Sequence, residues 1–205
     1  TLAGAALGLA RPARTDDARL VHRAEAAGPP LVVVTGRVDV GVEGVDVTAQ
    51  YHTEIGGGRL NVAFVGTQML TKETLPVPSL PDTLVDCHGV KSSSCFTSPE
   101  WRHTATATYG MDDWSATMRW RYIGEVDYDG EVDTLVADGI DAQSYFDIVG
   151  QYYLGANTSF TLGINNFLDE EPPLMGASLV LSGNTEVGFY DTLGRMVFAN
   201  VTLTY

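Results

Sequence analysis

The sequence predicts an all-β chain, an antiparallel transmembrane β-barrel segment with about seven up-and-down strands. Three observations predict this fold class. Apolar residues recur at every second position over most of the chain, which is the period of a strand rather than of a helix. Short and long connections alternate between the predicted strands. Eight aromatic residues occur at or near the strand ends, at the depth where a barrel meets the two membrane surfaces. They are Trp101, Tyr109, Trp114, Tyr122, Tyr145, Tyr152, Tyr153 and Tyr205.

Seven segments show the alternation of apolar and polar residues. It is clearest at residues 114–122, where aromatic and aliphatic residues alternate with Ser, Thr and Arg. The longer segments reach the roughly 9 residues that a tilted membrane-crossing strand requires. The seven predicted strands lie at residues 45–52, 60–64, 101–109, 114–122, 146–152, 160–165 and 197–205.

The connections favour a barrel over a β-sandwich. Tight turns are predicted at residues 55–58, 110–113 and 154–157, and they alternate with three long connections. Outer-membrane barrels have short periplasmic turns and long extracellular loops, so the alternation is typical of them. It also predicts that the last strand follows a long loop and ends in the periplasm. The long connections lie at residues 73–99, 125–142 and 169–193.

Composition excludes several functions. The 205 residues include 26 acidic and 12 basic side chains, a net charge of −14, so the chain lacks the basic surface that binds nucleic acid. No apolar stretch approaches the roughly 18–20 residues of a membrane-spanning helix. Gly-x-Ser-x-Gly, His-Glu-x-x-His and P-loop motifs are absent, and the four histidines are scattered. We therefore expect no enzyme activity, no cofactor and no bound metal.

Two cysteines, Cys87 and Cys95, lie in a segment rich in Ser, Pro and Gly. Only His88 and His103 lie nearby, which is too few ligands for a metal site. A local disulfide is the favoured interpretation, and it implies an oxidising compartment. Two unrelated thiols are the alternative.

Seven carboxylates crowd the connection at residues 125–142 without a basic residue among them. The run DYDGEVD resembles a calcium loop, but its glycine stands at the fourth position instead of the sixth. A solvated extracellular surface is therefore favoured, with divalent cations bridging the loop to lipopolysaccharide as an alternative. The carboxylates are Glu125, Asp127, Asp129, Glu131, Asp133, Asp138 and Asp141.

Arg119, Arg121 and Asp147 are predicted to face the lumen of the barrel. Both arginines alternate with apolar residues, and on the lipid face each charge would cost about 2–4 kcal/mol at mid-depth. In the lumen the arginines could contact an anionic substrate or a domain inside the barrel. An ion pair with Asp147 or a neighbouring carboxylate is an equally good interpretation.

Residues 1–35 do not match the rest of the chain. TLAGAALGLA resembles the apolar core of an export signal, but no basic stretch precedes it. We expect a truncated or mis-joined upstream segment there and assign it no function. The predicted strand region covers residues 36–205.

Two C-terminal motifs carry a resemblance to a known family. TLGINNFLDEEPP at residues 161–173 and NTEVGFYDTLGRMVFANVTLTY at residues 184–205 resemble the penultimate strand and closing segment of TonB-dependent outer-membrane receptors. The resemblance extends over about residues 36–205. Its motif residues, in order, are Asn165, Asn166, Asp169, Pro172, Asn184, Tyr190, Asp191, Gly194 and Arg195, with an aromatic C-terminus at Tyr205.

The resemblance implies part of a 22-strand barrel in the bacterial outer membrane. Such a receptor takes up siderophore-bound iron, cobalamin or a saccharide, and it draws energy from the TonB complex through a plug domain that these residues do not include. The resemblance also makes Val201, Leu203 and Tyr205 the signal recognised by the barrel-assembly machinery, by strand addition at the free edge. Outer-membrane lipid is the third expected partner, and the sequence does not identify the transported ligand. The alternatives are a secreted soluble β-domain that binds a glycan or a protein, and another barrel such as a porin.

Overall fold

The computed structural model describes the backbone of residues 20–23, 31–39, 41–77, 79, 81–129, 139–175 and 185–204. None of these residues lies in a helix that is long and apolar enough to cross a membrane. A 3-10 turn spans Pro81–Thr83. The strands are β1 (Leu20–Arg23), β2 (Leu31–Asp39), β3 (Val42–Ile55), β4 (Gly58–Thr74), β5 (Val85–Asp86), β6 (Val90–Lys91), β7 (Trp101–Gly110), β8 (Trp114–Ile123), β9 (Val126–Tyr128), β10 (Gly139–Ile140), β11 (Gln143–Leu154), β12 (Thr158–Asn165) and β13 (Met196–Leu203).

Nine of these strands form one antiparallel sheet in the order β1-β2-β3-β4-β7-β8-β11-β12-β13, and β5 adds to β4. Each long strand pairs with the long strands before and after it in the chain, so the topology is up-and-down. The seven predicted strands correspond to β3, β4, β7, β8, β11, β12 and β13. The predicted all-β antiparallel fold is therefore confirmed.

The sheet begins further upstream than residue 36, where the alternating pattern starts. Strand β2 pairs with β3 along its whole length, and β1 pairs with β2. Residues 31–34 are Leu-Val-Val-Val, a continuous apolar run in which a period of two cannot be recognised. The signal-like stretch at residues 1–10 lies outside the described residues.

From β3 onward, short and long connections alternate in the structure, whereas the β2–β3 connection between Asp39 and Val42 is short as well. The β3–β4 turn contains Gly56 and Gly57, whose φ angles of 60° and 83° lie in the left-handed region that glycine adopts without steric cost. The other two tight connections cover residues 111–113 and 155–157. Because the strands run up and down, these three turns lie at one end of the sheet, the turn end. The three long connections lie at the opposite end, the loop end.

The strand register separates apolar and polar side chains onto opposite faces of the sheet. The apolar face also carries Thr53, Gln68, His103, Ser144 and Thr158. Its apolar residues include Val45, Val47, Ala49, Tyr51, Leu60, Val62, Phe64, Trp101, Ala105, Ala107, Tyr109, Trp114, Ala116, Met118, Trp120, Tyr122, Phe146, Ile148, Tyr152, Phe160, Leu162, Ile164, Val197, Ala199, Val201 and Leu203. The polar face includes Asp46, Thr48, Gln50, His52, Asn61, Thr67, Arg102, Thr104, Thr106, Thr108, Ser115, Thr117, Arg119, Arg121, Asp147, Gln151, Thr161, Asn200 and Thr202.

The buried core does not lie on the apolar face. Within the described residues, the core cluster packs at the loop end and is built from Val126, Ile140, Tyr145, Met175 and Tyr190. Tyr145 stands opposite Arg121 in the register and therefore points to the polar side of the sheet. It is fully buried, so its assignment with the strand-end aromatics at the membrane surface was wrong. The apolar face itself is open, with Leu162 59% and Val197 66% exposed.

Candidate functional site

A buried carboxylate on the polar face organises the candidate site. Asp147 in β11 is only 1% exposed and stands directly opposite Arg119 of β8. Its Oδ2 accepts hydrogen bonds from the Nε of Arg119 at 2.8 Å and from the Nε of Arg121 at 3.1 Å. Its Oδ1 accepts a third from a terminal nitrogen of Arg121 at 3.2 Å. The sequence left open whether these arginines contact a substrate, another domain or a carboxylate. In the structure both form an ion pair with Asp147.

Asn166 links this carboxylate to the end of β12. Its buried backbone N–H donates to the Oδ1 of Asp147 at 2.9 Å. Its φ of 49° lies in the left-handed region, which asparagine tolerates better than most residues. The side chain then holds the next turn, because its amide nitrogen donates to the carbonyl of Glu170 and its Oδ1 accepts from the Glu170 N–H, both at 2.9 Å.

Arg121 connects the sheet to the last long connection. A terminal nitrogen of its guanidinium donates to Asp191 Oδ2 at 3.2 Å, and the guanidinium carbon lies 5.1 Å from the centre of the Tyr145 ring. Arg121 is therefore shared between Asp147 and Asp191. This arrangement stabilises the loop end, since the ion pair with Asp147 joins β8 to β11 and the ion pair with Asp191 fixes the last long connection against β8.

A second set of hydrogen bonds joins the start and the end of the last long connection, which lies between β12 and β13. The backbone N–H of Arg195 donates to Asp169 Oδ1 at 2.8 Å, and the Arg195 Nε donates to the carbonyl of Phe167 at 3.0 Å. Gly194 has a φ of 68°, and a Cβ there would come within 3.1 Å of the same Asp169 oxygen. The structure thus brings Asp169 together with the adjacent residues Gly194 and Arg195, although Arg195 lies 26 residues further along the chain.

The other motif residues have different surroundings. Asn165 is the last residue of β12 and pairs with Met196 of β13. Tyr190 packs into the core cluster, and burial raises the pKa of its hydroxyl. Pro172 follows the turn that Asn166 holds. Asn184 lies outside the described residues.

The cysteine segment packs against the last long connection. Cys87 and Cys95 form a disulfide, and both are buried. Next to them, the buried Lys91 places its ammonium 3.5 Å from Glu186 Oε2, and the Thr97 hydroxyl donates to the same carboxylate. Strand β6 of this segment pairs with β9, which pairs with β10. We call residues 85–100, 126–128, 139–140 and 185–190 the loop layer. The sequence did not distinguish Lys91 and Glu186 from ordinary surface charges.

One exposed carboxylate supports this layer. The backbone N–H groups of Lys72 and His88 donate to Asp86 Oδ1 at 2.9 Å and 3.1 Å. These donors favour the charged form, and the Lys72 N–H in particular lowers the pKa of Asp86. The structure therefore holds the start of the cysteine segment against the end of β4.

The acidic connection is only partly described. Glu125, Asp127, Asp129 and Asp141 lie in the described residues, and Glu131, Asp133 and Asp138 lie outside them. The described part of the chain contains no group of three or more His, Cys, Asp or Glu side chains placed to bind a metal ion.

The C-terminal strand contributes two of its three predicted assembly residues to the sheet edge. Val201 and Leu203 pair with Phe160 and Thr158 of β12 and lie on the apolar face. Tyr205 lies outside the described residues.

No protein-family model matches the chain, and no curated protein sequence matches it. One solved structure that it resembles is that of a protein named Copper transporter OprC. The similarity has a TM-score of 0.39 and 15% sequence identity, and it covers 86% of this chain. The chain spans 30% of the length of that protein.

Proposed function

We propose that this chain forms part of a β-barrel in the bacterial outer membrane, with its apolar face against lipid and its polar face towards the lumen. The observation that carries this proposal is the open apolar face, which continues across seven paired strands while the core packs elsewhere. In a soluble domain the apolar face of a sheet is the surface that the core covers.

The size of the face supports a membrane environment. Seven strands about 4.8 Å apart, each apolar over about 25 Å, give roughly 700 Å² of sheet area. The largest apolar patch on a soluble monomer is typically about 300–600 Å² of accessible surface. Among the described residues of this face in the seven strands, Glu43 lies at the loop end of β3 and no Asp, Glu, Lys or Arg lies near mid-depth, where each charge would cost about 2–4 kcal/mol.

Most tyrosine and tryptophan residues of this face form two groups at the depths expected for membrane surfaces, and Trp120 lies between them. At the turn end, the rings of Tyr109 and Trp114 lie 5.7 Å apart, with Tyr152 paired to Trp114. At the loop end, Trp101 and Tyr122 occupy the opposite ends of the same strands. Along β7 the two groups are roughly 26 Å apart, or about 20 Å along the membrane normal for a strand tilt near 40°.

The transport role rests on the closing motifs and is part of the same proposal. We infer a receptor of the TonB-dependent class, without enzyme activity, that takes up siderophore-bound iron, cobalamin or a saccharide. The TonB complex would act through a plug domain, and the assembly machinery would bind β13 at its open edge. The C-terminus would be periplasmic, because the tight turns lie at that end of the strands.

The lipid-facing assignment can be tested with the three tryptophans, Trp101, Trp114 and Trp120. The chain would be inserted into vesicles of brominated phosphatidylcholine, with one tryptophan retained at a time and the others replaced by phenylalanine. Because all three residues lie on the apolar face, we expect bromine to quench each of them. Bromine near the bilayer centre should quench Trp120 more strongly than Trp114 or Trp101, which lie nearer the strand ends.

A matched control places the probe on the other face. In a chain without native tryptophans, Thr106→Trp puts an indole opposite Arg119 on the polar face, where bromine should not reach it. Equal quenching of that indole would show that the face assignment is wrong. A water-soluble monomer that needs no detergent would reject the membrane proposal and favour the secreted β-domain.

A further inference from the structure

A cavity of about 290 Å³ lies where the apolar face of the sheet meets the loop layer. The rings of Trp101 and Tyr122 line it at the loop end of β7 and β8. Two glycines also line it. A Cβ on Gly124 would lie 2.7 Å from the backbone oxygen of Trp101, and one on Gly89, whose φ is 67°, would lie 3.1 Å from Glu100 Oε1. The fold therefore excludes side chains from these two positions, which keeps the cavity open.

Three carboxylates line the same cavity and lack a neutralising cation. They belong to Glu100, which precedes β7, and to the exposed Glu125 and Asp127. No lysine or arginine in the described part of the chain forms an ion pair with any of them. The basic group beside them is His88, whose Nε2 lies 3.9 Å from Glu100 Oε1 and whose Nδ1 lies 3.0 Å from Asp86. Even a protonated His88, shared with Asp86, would leave the cavity negatively charged.

The arrangement suits an organic cation better than a metal ion. A calcium ion needs its oxygen ligands at about 2.3–2.6 Å from one point. No group of three or more His, Cys, Asp or Glu side chains among the described residues is placed in that way. Carboxylates spread around a cavity can instead pair with separate ammonium groups. The aromatic rings add a second attraction, because the face of a Trp or Tyr ring attracts an ammonium group within about 6 Å. His103 stacks on the Tyr122 ring, with ring centres 5.1 Å apart, and so holds it in place.

We propose that this cavity binds a small linear polyamine. Its ammonium groups would pair with the carboxylates of Glu100, Glu125 and Asp127, and its methylene chain would lie against the rings of Trp101 and Tyr122. The volume agrees with a ligand of this size, since it is near the lower limit of small-molecule sites, roughly 300 Å³. The inference goes beyond the proposed function, because the cavity has the same walls whether or not lipid covers the apolar face.

Spermidine is a suitable probe, and its binding to the refolded full chain in detergent can be measured by isothermal titration calorimetry. At physiological ionic strength, charges more than about 8 Å apart are largely screened. Glu125→Gln combined with Asp127→Asn should weaken binding about tenfold, because each exposed ion pair contributes up to about fivefold. Tyr122→Leu removes a ring without changing any charge and should weaken binding about two- to fivefold. Asp129→Asn removes an exposed charge of the same connection from outside the cavity and should leave the affinity unchanged.

Several results would overturn the inference. Unchanged spermidine affinity in the double variant, with the strand content of wild type by circular dichroism, would show that the site lies elsewhere. A loss in Asp129→Asn as large as in the double variant would indicate general attraction to an acidic surface. Mg²⁺ that binds as tightly as spermidine and displaces it would identify a metal site instead. A wild-type chain that binds no spermidine at millimolar concentration would show that no such site exists.

Discussion

Replacing Asp147 by alanine tests whether the buried carboxylate stabilises the loop end. The substitution leaves the N–H of Asn166 buried without its acceptor, which costs about 1–3 kcal/mol. It also removes the shared partner of Arg119 and Arg121. Breaking a fully buried ion pair costs about 3–5 kcal/mol, but these arginines are 47% and 32% exposed and can be rehydrated in part. We therefore expect Asp147→Ala to lower the free energy of unfolding by about 3 kcal/mol.

The assay is urea unfolding of the refolded chain in lipid vesicles, followed by tryptophan fluorescence. Asp191→Ala is the matched control, because Asp191 accepts a single bond from Arg121 and is 19% exposed. Its loss should cost about 1 kcal/mol. If Asp147→Ala cost no more than Asp191→Ala, the argument that a saturated, buried carboxylate organises this end of the sheet would be refuted.

Two further predictions concern the loop layer. Tyr190→Phe should change stability at neutral pH by less than about 1 kcal/mol, because the buried hydroxyl has no hydrogen-bond partner among the described residues. Burial raises the pKa of Tyr190 above its usual 10.0, so its contribution is fully present below pH 10 and is lost as the pH rises further. The variant should therefore resist alkaline unfolding better than wild type, and identical circular-dichroism curves above pH 10 would contradict this. Replacing both Cys87 and Cys95 by serine removes a cross-link across 8 residues, worth about 2.5 kcal/mol in the chain-entropy model. Hydrogen exchange should then accelerate in residues 87–100 but not in β8, and unchanged exchange in that segment would contradict the prediction.

Most of the sheet could be predicted from the sequence because each strand has its pattern within itself. One residue in two is apolar at residues 114–122, so the period alone identifies β8 and its two faces. Each of the three tight turns contains at least one glycine, which also allowed the turns to be predicted from the sequence. Strand β2 could not be predicted, because its Leu-Val-Val-Val run has no alternation and its pairing with β3 depends on the tertiary structure.

The contacts within the candidate site could not be predicted from the sequence. The sequence placed Arg119, Arg121 and Asp147 on one face. The alternation of residues, however, does not show whether a charged side chain on that face is paired with another charge. The pairing depends on the register of β8 against β11, which sets Asp147 directly opposite Arg119. The N–H of Asn166 joins the same carboxylate only because β12 ends beside it.

The sequence by itself determined the all-β class, the seven strands and the order of short and long connections, since these depend on local alternation and turn residues. Only the tertiary structure decided where the core packs and which charges pair. Tyr145 illustrates the reason. Its position near a strand end suggested a membrane-surface aromatic, yet the long connections fold over it and bury it with Val126 and Tyr190. Burial by distant segments leaves no periodic trace in a sequence, because it arises from contacts between connections rather than within strands.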